Sequence, residues 1–421
     1  MKTCFALLLA ALSALSLNAQ VWNDLIDDDL IKTVQFYPQG APTVMPITSL
    51  SAGANALILE FDRVDTEIKD YLYTIQHCNA DWTPSDLEDV MYINGYTEDR
   101  ITEADISINT LTQYVHYSLG LPNANMKWRV SGNYILKIFD EDDDRRLVLA
   151  RRFMVTESTT WKIEPTFVRP YQTAWFNSHH ELDFTVKAKG ARFTAPAQEV
   201  RAVVLQNTAW STALGPLPPL TLRGEDLLYD YIDKIVFPGS SEWRVLDMRT
   251  FDFKGEGIKM IRQQYNGMEV TMKTDESRNG GSYIQRPDAN GRFVIENRNQ
   301  NQGLLQCDYA NVLFSIARNQ EEEGKSVYLY GQLTDFQIKP EFRFTYLNDA
   351  KAYVLETPLK QGYYNYQFVV IDDATGLPDL EDGFEGNHFQ TVNAYTILVY
   401  FRKIGERYER LMGTLTVESK I

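Results

Sequence analysis

The sequence predicts an all-β protein built from tandem immunoglobulin-like, antiparallel β-sandwich domains. Three observations lead to this fold class. Apolar residues alternate with polar ones over short runs, polar turns separate these runs, and few stretches have helical periodicity. Strands spaced in this regular way are typical of sandwiches. With 421 residues, of which 44% are hydrophobic, the chain is long enough to fill the cores of several such domains.

The N-terminal segment is predicted to be a secretory signal peptide. Lys2 precedes an apolar run over residues 5–17, and Ala19 supplies the small residue before a cleavage site at the bond to Gln20. Cys4 lies at the start of the apolar run rather than at the cleavage point, which argues against lipid attachment. We therefore expect an exported, water-soluble mature chain, since no later stretch is apolar enough for a membrane-spanning helix.

Several strand pairs are predicted directly from the alternation. The stretch GNYILKIFDEDDDRRLVLARRFMV, residues 132–155, reads as a hairpin with an acidic turn. A second hairpin is AYTILVYFRKIGERYERLMGTLTV, residues 394–417, with its turn at KIGER. Three further stretches have Gly, Asn or Asp at their breaks and predict short strands over residues 326–336, 342–359 and 362–372.

Two polar breaks, at residues 156–165 and 297–306, divide the mature chain into three predicted domains. The prolines of LGPLPPLTLRGEDLLYDYIDK, residues 214–234, are unsuited to a central strand and predict a long loop in the middle domain. The predicted division is a signal peptide at 1–19, an N-terminal β-sandwich at 20–157, a middle β domain with long loops at 158–303, and a C-terminal early-set immunoglobulin-like β-sandwich at 304–421.

Charge and cysteine content narrow the possible partners and compartments. The chain has 41 basic and 57 acidic residues, a formal net charge of -16, which disfavours nucleic acid and anionic lipid as partners. Cys78 and Cys307 are the cysteines left after signal removal. An oxidising compartment would allow them to pair, whereas their positions in separate β segments favour two buried free thiols, so the sequence leaves a disulfide undecided.

The stretch TIQHCNADWTPSDL has the residue types of a metal or thiol site. His77 and Cys78 are adjacent on a predicted strand, however, so their side chains point to opposite faces. We interpret Asn79 and Asp81 as turn formers, Trp82 as a cap on the core, and residues 83–87 as a proline turn in which Ser85 and Asp86 can cap. No metal ligands are predicted here or at the other histidines, because none has ligand spacing.

Motifs of the common enzyme classes are missing from the sequence. There is no G-x-S-x-G elbow or phosphate loop, and in KGEGIKM Met260 stands where a dinucleotide fingerprint needs its third glycine. A carboxylate pair for glycoside hydrolysis stays open, since 57 acidic residues allow many pairings. The run DEDDDRR, residues 140–146, lacks the spaced ligands and glycine of a calcium loop and predicts a solvated turn. We predict neither catalytic residues nor a cofactor.

The predicted C-terminal domain resembles the early-set immunoglobulin-like modules attached to glycogen-branching enzymes. The similarity lies in VYLYGQLTDF and LKQGYYNYQFVVID. Those modules have a Gly-x-Phe-Asn-x-Trp turn, and some bind glucan. Here Leu333, Thr334 and Phe336 stand for the Phe, Asn and Trp, which weakens the case for glucan binding. We predict that Tyr363, Tyr364 and Tyr366 pack on a sheet face.

Taken together, several long stretches resemble the type IX secretion system plug proteins of Bacteroidetes-type bacteria. They are YTIQHCNADWTPSDL, INTLTQYVHYSLGLPN with SGNYILKIFDEDDDRRLVLARRFMV, and GYYNYQFVVID with EGNHFQTVNAYTILVYFRKIGERYERLMG. The resemblance implies an all-β periplasmic protein that docks on the periplasmic mouth of a giant outer-membrane β-barrel translocon and seals it when cargo is absent. It implies no catalytic residues.

The predicted function is therefore a non-enzymatic, periplasmic plug whose partner is the translocon barrel, with no direct insertion into the membrane. The alternative is a secreted or periplasmic glycan-binding β-sandwich protein. A third reading, a secreted cargo of the same pathway, is disfavoured because the chain ends in a hairpin that the last domain is expected to need. The sequence leaves the translocon interface and the release signal unknown.

Overall fold

Two layers of β-strands form the first unit of the chain in a computed structural model that describes residues 21–157, 160–265, 267–299, 303–380 and 383–419. The predicted signal peptide lies outside the described residues. The elements of this unit are β1 (Leu25–Ile26), β2 (Ile31–Pro38), β3 (Ile47–Ser49), β4 (Leu57–Arg63), β5 (Tyr71–Cys78), helix α1 (Asp89–Tyr92), β6 (Ile93–Gly95), β7 (Asp99–Arg100), β8 (Glu103–Ile106), β9 (Val115–Leu121), β10 (Met126–Trp128), β11 (Gly132–Asp140) and β12 (Arg146–Thr156).

The sheet β2-β4-β9-β8 covers one face of β12-β11-β5. Alternate residues of both layers point inward, as a period of two requires, and form one core that includes Phe61, Tyr117 and Tyr134. The rings of Phe61 and Tyr117 are stacked with centroids 5.0 Å apart. The predicted hairpin of residues 132–155 is confirmed as β11 and β12, joined by an exposed turn over residues 141–145.

The middle part of the chain continues the same sheet. Its elements are β13 (Lys162–Val168), β14 (His179–Lys187), helix α2 (Pro196–Glu199), β15 (Val200–Gln206), a 3-10 turn (Trp210–Thr212), β16 (Leu214–Leu217), β17 (Thr221–Arg223), β18 (Asp226–Tyr229) and β19 (Val236–Pro238). Contrary to the predicted loop, residues 214–234 contain three strands. Pro216 is tolerated because β16 is an edge strand that pairs only with β15.

The third unit is a sandwich of two sheets around Phe314, Tyr364 and Phe368. Its strands are β20 (Arg244–Asp247), β21 (Ile258–Gln264), β22 (Gly267–Met272), β23 (Phe293–Ile295), β24 (Tyr309–Ala317), β25 (Lys325–Tyr330), β26 (Thr345–Leu347), β27 (Ala352–Lys360) and β28 (Gly362–Asp372), with 3-10 turns at Leu304–Gln306, Gln332–Thr334 and Pro340–Phe342. The chain then forms β29 (Ala394–Phe401) and β30 (Arg410–Glu418).

The strand pairing does not follow the predicted ranges 158–303 and 304–421. The hairpin β29–β30 is confirmed as a hairpin, but it pairs with β15 and places Tyr395 and Ile397 in the middle core. Conversely, β20 and β23 pair with β28 of the third unit. The alternation of each strand specifies its buried face without specifying its partner, so the sequence could not assign these strands.

One ten-stranded sheet joins the first and middle units. Its main order is β16-β15-β29-β30-β12-β11-β5-β7, with β1 and β3 also on β12, and the join is a parallel pairing of Thr156 with Leu411. One face contributes to the first and middle cores. On the other face a separate cluster contains Trp22, Cys78, Trp82 and Tyr400. Within the described ranges, no helix has the length and apolar character to cross a membrane.

Candidate functional site: the junction of the three units

His77 and Cys78 end strand β5 and lie on opposite faces of the shared sheet, as predicted. The ring of His77 packs edge-on against Tyr134 of the first core, and its nitrogens lie 2.8 Å from Ser85 Oγ and 3.1 Å from the Ser131 carbonyl oxygen. Burial lowers the pKa of His77 to about 4. Among the described residues, no group of three or more His, Cys, Asp or Glu side chains is arranged to hold a metal ion.

The loop after β5 is held by its own polar side chains, as predicted. Asp81 accepts hydrogen bonds from the Thr83 backbone N–H at 3.0 Å and from Thr83 Oγ1 at 2.6 Å. Asn79 Nδ2 donates to Thr83 Oγ1 at 3.1 Å. Ser85 Oγ accepts from the Leu87 backbone N–H, but helix α1 has Glu88 at its N-cap and no side-chain cap, so neither Ser85 nor Asp86 caps this helix. The loop therefore holds Trp82, which is 3% exposed, in place.

Trp82 makes a contact between units that the sequence did not predict. Its ring meets Trp210 of the middle unit edge-on, with centroids 4.8 Å apart. The guanidinium of Arg152 lies 4.6 Å from the Trp82 centroid and 5.1 Å from that of Trp210, a cation–π geometry with both rings. The same guanidinium donates to the carbonyl of Trp22. The stretch TIQHCNADWTPSDL, which has the residue types of a metal site, therefore contributes Trp82 to the contact between the first and middle units.

Beside Arg152, charged side chains join the first unit to the third. Arg151 Nη2 lies 3.2 Å from Asp335 Oδ1, and Lys339 Nζ lies 2.6 Å from Asp335 Oδ2. Burial acts to raise the pKa of Asp335, but Arg151 and Lys339 outweigh it and the pKa is lowered. Asp24 Oδ1 accepts a hydrogen bond from the Arg152 backbone N–H at 2.8 Å. Residues far apart in the sequence, Asp24, Arg151 and Asp335, therefore lie close together.

A second polar contact joins the first and third units at strand β4. Lys360 Nζ of β27 lies 2.6 Å from Asp62 Oδ2 of β4, and both side chains are 1% exposed. His116 Nδ1 lies 2.7 Å from Asp62 Oδ1, and Tyr309 donates to Asp62 Oδ2 at 2.7 Å. The Lys360 ammonium also lies 4.0 Å from the ring centroid of Tyr114. Every oxygen of this buried carboxylate is thus hydrogen-bonded.

An apolar groove of about 460 Å³ runs between the middle and third units. Trp243, Tyr330 and Phe336 form its aromatic wall, and Ile338 and Leu380, 40% and 55% exposed, lie at its rim. An apolar patch of this kind on a water-exposed surface is typical of contact sites.

The aromatic residues that resembled a glucan site are largely buried. Phe336 is 6% exposed, and Tyr364 and Tyr366 are each 2% exposed within the third core, which confirms their predicted packing. Tyr363 is half-buried with the Arg249 guanidinium 5.1 Å from its ring centroid. A flat, open aromatic platform is therefore missing at these positions.

Comparisons with known proteins fit this geometry. Residues 31–157 match the family model described as the type 9 secretion system plug protein 1st domain. The chain carries the first domain of the plug protein family. A crystal structure of a hypothetical protein from Parabacteroides merdae ATCC 43184 is 29% identical, with a TM-score of 0.89 over 95% of this chain and 100% of that chain. No curated protein matches the chain.

The plug first domain supplies one side of the three contacts described above. Asp62, Trp82 and Arg151 lie inside the matched range, whereas their partners Lys360, Trp210 and Asp335 lie beyond it. The predicted resemblance to the type IX plug family is confirmed for this domain. The middle and third units therefore form a fixed extension of the plug first domain.

Proposed function

We propose that this chain is the periplasmic plug of a type IX secretion translocon. It would dock on the periplasmic opening of the outer-membrane β-barrel and seal it when cargo is absent, without inserting into the membrane and without catalysis. The observation that carries the proposal is the match of residues 31–157 to the plug first domain. Its role in sealing, its partner barrel and its periplasmic location are part of the proposal.

The joints between the units support this role physically. A seal must resist deformation across a wide opening, and a chain of freely hinged domains would bend. Here the first and middle units share a sheet, and the third is attached through buried ion pairs at two separate places. Because leaving one partner of a buried ion pair alone is costly, domain rotation that breaks either contact is unfavourable. We expect the three units to move as one body.

The proposal is tested by capture of partners from cell envelopes. Tagged mature protein would be expressed in a translocation-arrested strain and recovered from gently solubilised envelopes, with partners identified by mass spectrometry. A tagged, unrelated acidic periplasmic protein is the matched control. We expect a very large outer-membrane barrel at near-equal stoichiometry. Recovery of the chain without such a barrel would overturn the proposal.

A second readout tests sealing rather than binding. A strain that lacks this chain should take up a large hydrophilic dye faster than its parent, and expression of the chain should restore the barrier. Equal uptake in both strains, with the barrel present, would contradict the sealing role. The glycan alternative predicts instead that saccharides raise the melting temperature of the purified protein, so a saccharide series belongs in the same study.

A further inference from the structure

Arg292 is a buried cation without an acidic partner in the described part of the chain. It directly precedes β23 and is 6% exposed. Its guanidinium donates one hydrogen bond, to Thr208 Oγ1 of the middle unit, and forms no ion pair with any described residue. Burial lowers the pKa of Arg292 to about 10. A guanidinium has several N–H donors, so most of its hydrogen-bonding capacity is unused by the protein.

Other buried arginines among the described residues have more partners than Arg292. Arg244, which is 4% exposed, lies 2.7 Å from Asp275 and 2.8 Å from Glu385. Arg151 pairs with Asp335. Arg152 has no ion pair with a described residue, but its guanidinium donates to the Trp22 carbonyl and lies against the rings of Trp82 and Trp210. A buried charge with few partners is unfavourable, so Arg292 differs from these three arginines.

Arg292 lines a cavity of about 80 Å³ where all three units meet. The charged residues of the cavity wall are Arg151, Arg152 and Arg292 against Asp24 and Asp335, so three cations oppose two acids and one positive charge is in excess. Asp335 is also shared with Lys339, which increases the excess. Burial raises the pKa of Asp24, and Arg151 and Arg152 act in the opposite direction.

The size and charge of the cavity fit a small anion. Its volume exceeds the ~10–15 Å³ that a single water molecule needs, so a small anion fits, and the selection between anions rests on charge. A monovalent anion would match the excess of one charge. Arginine binds weakly hydrated anions through charge-assisted N–H bonds, and the free N–H groups of Arg292 supply these donors.

We propose that the junction cavity binds one small monovalent anion of the size of chloride, held by the Arg292 guanidinium. The anion compensates Arg292 and ties Thr208 of the middle unit and Arg152 of the first unit to the third. The bound anion thus stabilises the contact between the three units. The proposal does not depend on whether the chain seals a translocon.

Bromide is the probe for the site itself. Crystals of the mature protein grown or soaked in sodium bromide should have an anomalous peak in the junction cavity, within hydrogen-bonding distance of the Arg292 guanidinium. A cavity that contains only water at high bromide concentration would overturn the proposal. This measurement uses the unmodified protein and so does not depend on a variant that folds.

Thermal unfolding tests whether the anion contributes to stability. At constant ionic strength, replacing gluconate by chloride should raise the melting temperature by roughly 1–3 °C and then saturate, because the ligand binds the folded state. Sulfate should not replace chloride. The chloride response should disappear in Arg292→Met and Thr208→Val and persist in the exposed control Arg286→Met. An equal response in wild type and both junction variants, or none in wild type, would contradict the proposal.

Discussion

The Lys360 ammonium lies 2.6 Å from Asp62 Oδ2, across 298 positions of sequence, and both side chains are almost fully buried. His116 and Tyr309 also hydrogen-bond the carboxylate, and the Tyr114 ring lies 4.0 Å from the ammonium, so neither charge depends on the other alone. Burial alone would raise the pKa of Asp62, but Lys360 and His116 outweigh it and the pKa is lowered. The pair fixes the third unit on the plug first domain.

Loss of one partner of this pair should destabilise the chain strongly. Lys360→Met leaves the Asp62 carboxylate buried with less compensation, and we expect a loss of about 3 kcal/mol in the free energy of unfolding. Urea denaturation followed by tryptophan fluorescence measures it. Removing both charges, in Asp62→Leu with Lys360→Met, should recover part of the loss.

The matched control for Lys360→Met is an exposed pair in the third unit. Arg286 lies 3.7 Å from Glu256, and their side chains are 52% and 62% exposed. Because solvent screens such a pair, Arg286→Met should leave the urea midpoint almost unchanged. Equal effects of Lys360→Met and Arg286→Met would show that the buried pair is not a structural contact.

The stability of the protein should fall between about pH 6.5 and pH 8 through His116. Burial disfavours a charge on His116, but its hydrogen bond to Asp62 and the Glu60 carboxylate, 3.8 Å from Nε2, raise its pKa to about 8. Because the folded state raises the pKa of His116, protonated His116 stabilises the protein. This contribution to the free energy of unfolding is complete below the unfolded pKa of 6.5 and is lost as the pH rises through the folded pKa of about 8. The size of the effect is about 2 kcal/mol.

Thermal melting from pH 6 to pH 9 in wild type and His116→Gln checks this dependence. The slope should be present in wild type and absent in the variant. His77, His179, His180 and His388 have lowered pKa values, so their contribution to stability is lost as the pH falls below about 6.5 and opposes the His116 slope there; the decisive comparison is therefore the difference between wild type and variant above about pH 7. A His116→Gln variant with the wild-type slope would refute the assignment.

The sequence predicts features that depend on neighbouring residues and does not predict contacts between residues far apart in the chain. The opposite orientation of His77 and Cys78 was predictable, because strand alternation is local. The same holds for the turn at Asp81 and the hairpin of residues 132–155. The pairing of Trp82 with Trp210 carries no local signal, since the partner lies in another unit.

Strand partners and buried charges were beyond the same reasoning. Alternation and the KIGER turn mark β29 and β30 as a hairpin, but alternation does not say which strand pairs with β29, so its partner is decided by packing in three dimensions. Asp62 looks like any acidic strand residue until Lys360 is brought beside it. Arg292 likewise reads as a surface charge, although it is buried.

Cys78 and Cys307 should be two free, unreactive thiols in the native protein. They lie in different clusters, on the back face of the shared sheet and in the third core, and are unpaired in the structure. Burial raises the pKa of Cys78 to about 12 and that of Cys307 to about 11, so little thiolate exists at neutral pH.

A maleimide probe should therefore label neither thiol in native buffer and both in urea without reductant. Mass spectrometry of the intact protein counts the labels. The result that would contradict this prediction is labelling in urea only after reduction, which would mean that the two cysteines had paired.

Gly291 should be intolerant of even one added carbon. Its φ is +81°, and a Cβ there would lie 2.6 Å from the Trp243 ring and 2.8 Å from the Phe336 ring. Both rings are buried in the wall of the apolar groove, so moving either one away from the added carbon would cost packing contacts. Gly291→Ala should combine left-handed strain with overpacking and cost about 3 kcal/mol.

Gly280→Ala is the control for Gly291→Ala, because its φ is +74° and nothing lies within 4 Å of the added carbon. It carries the backbone strain alone and should cost about 1 kcal/mol. The difference between the two urea midpoints isolates the contact with the aromatic wall. Equal losses of stability in the two variants would mean that the Trp243 and Phe336 rings move away without cost. The groove would then be deformable instead of preformed.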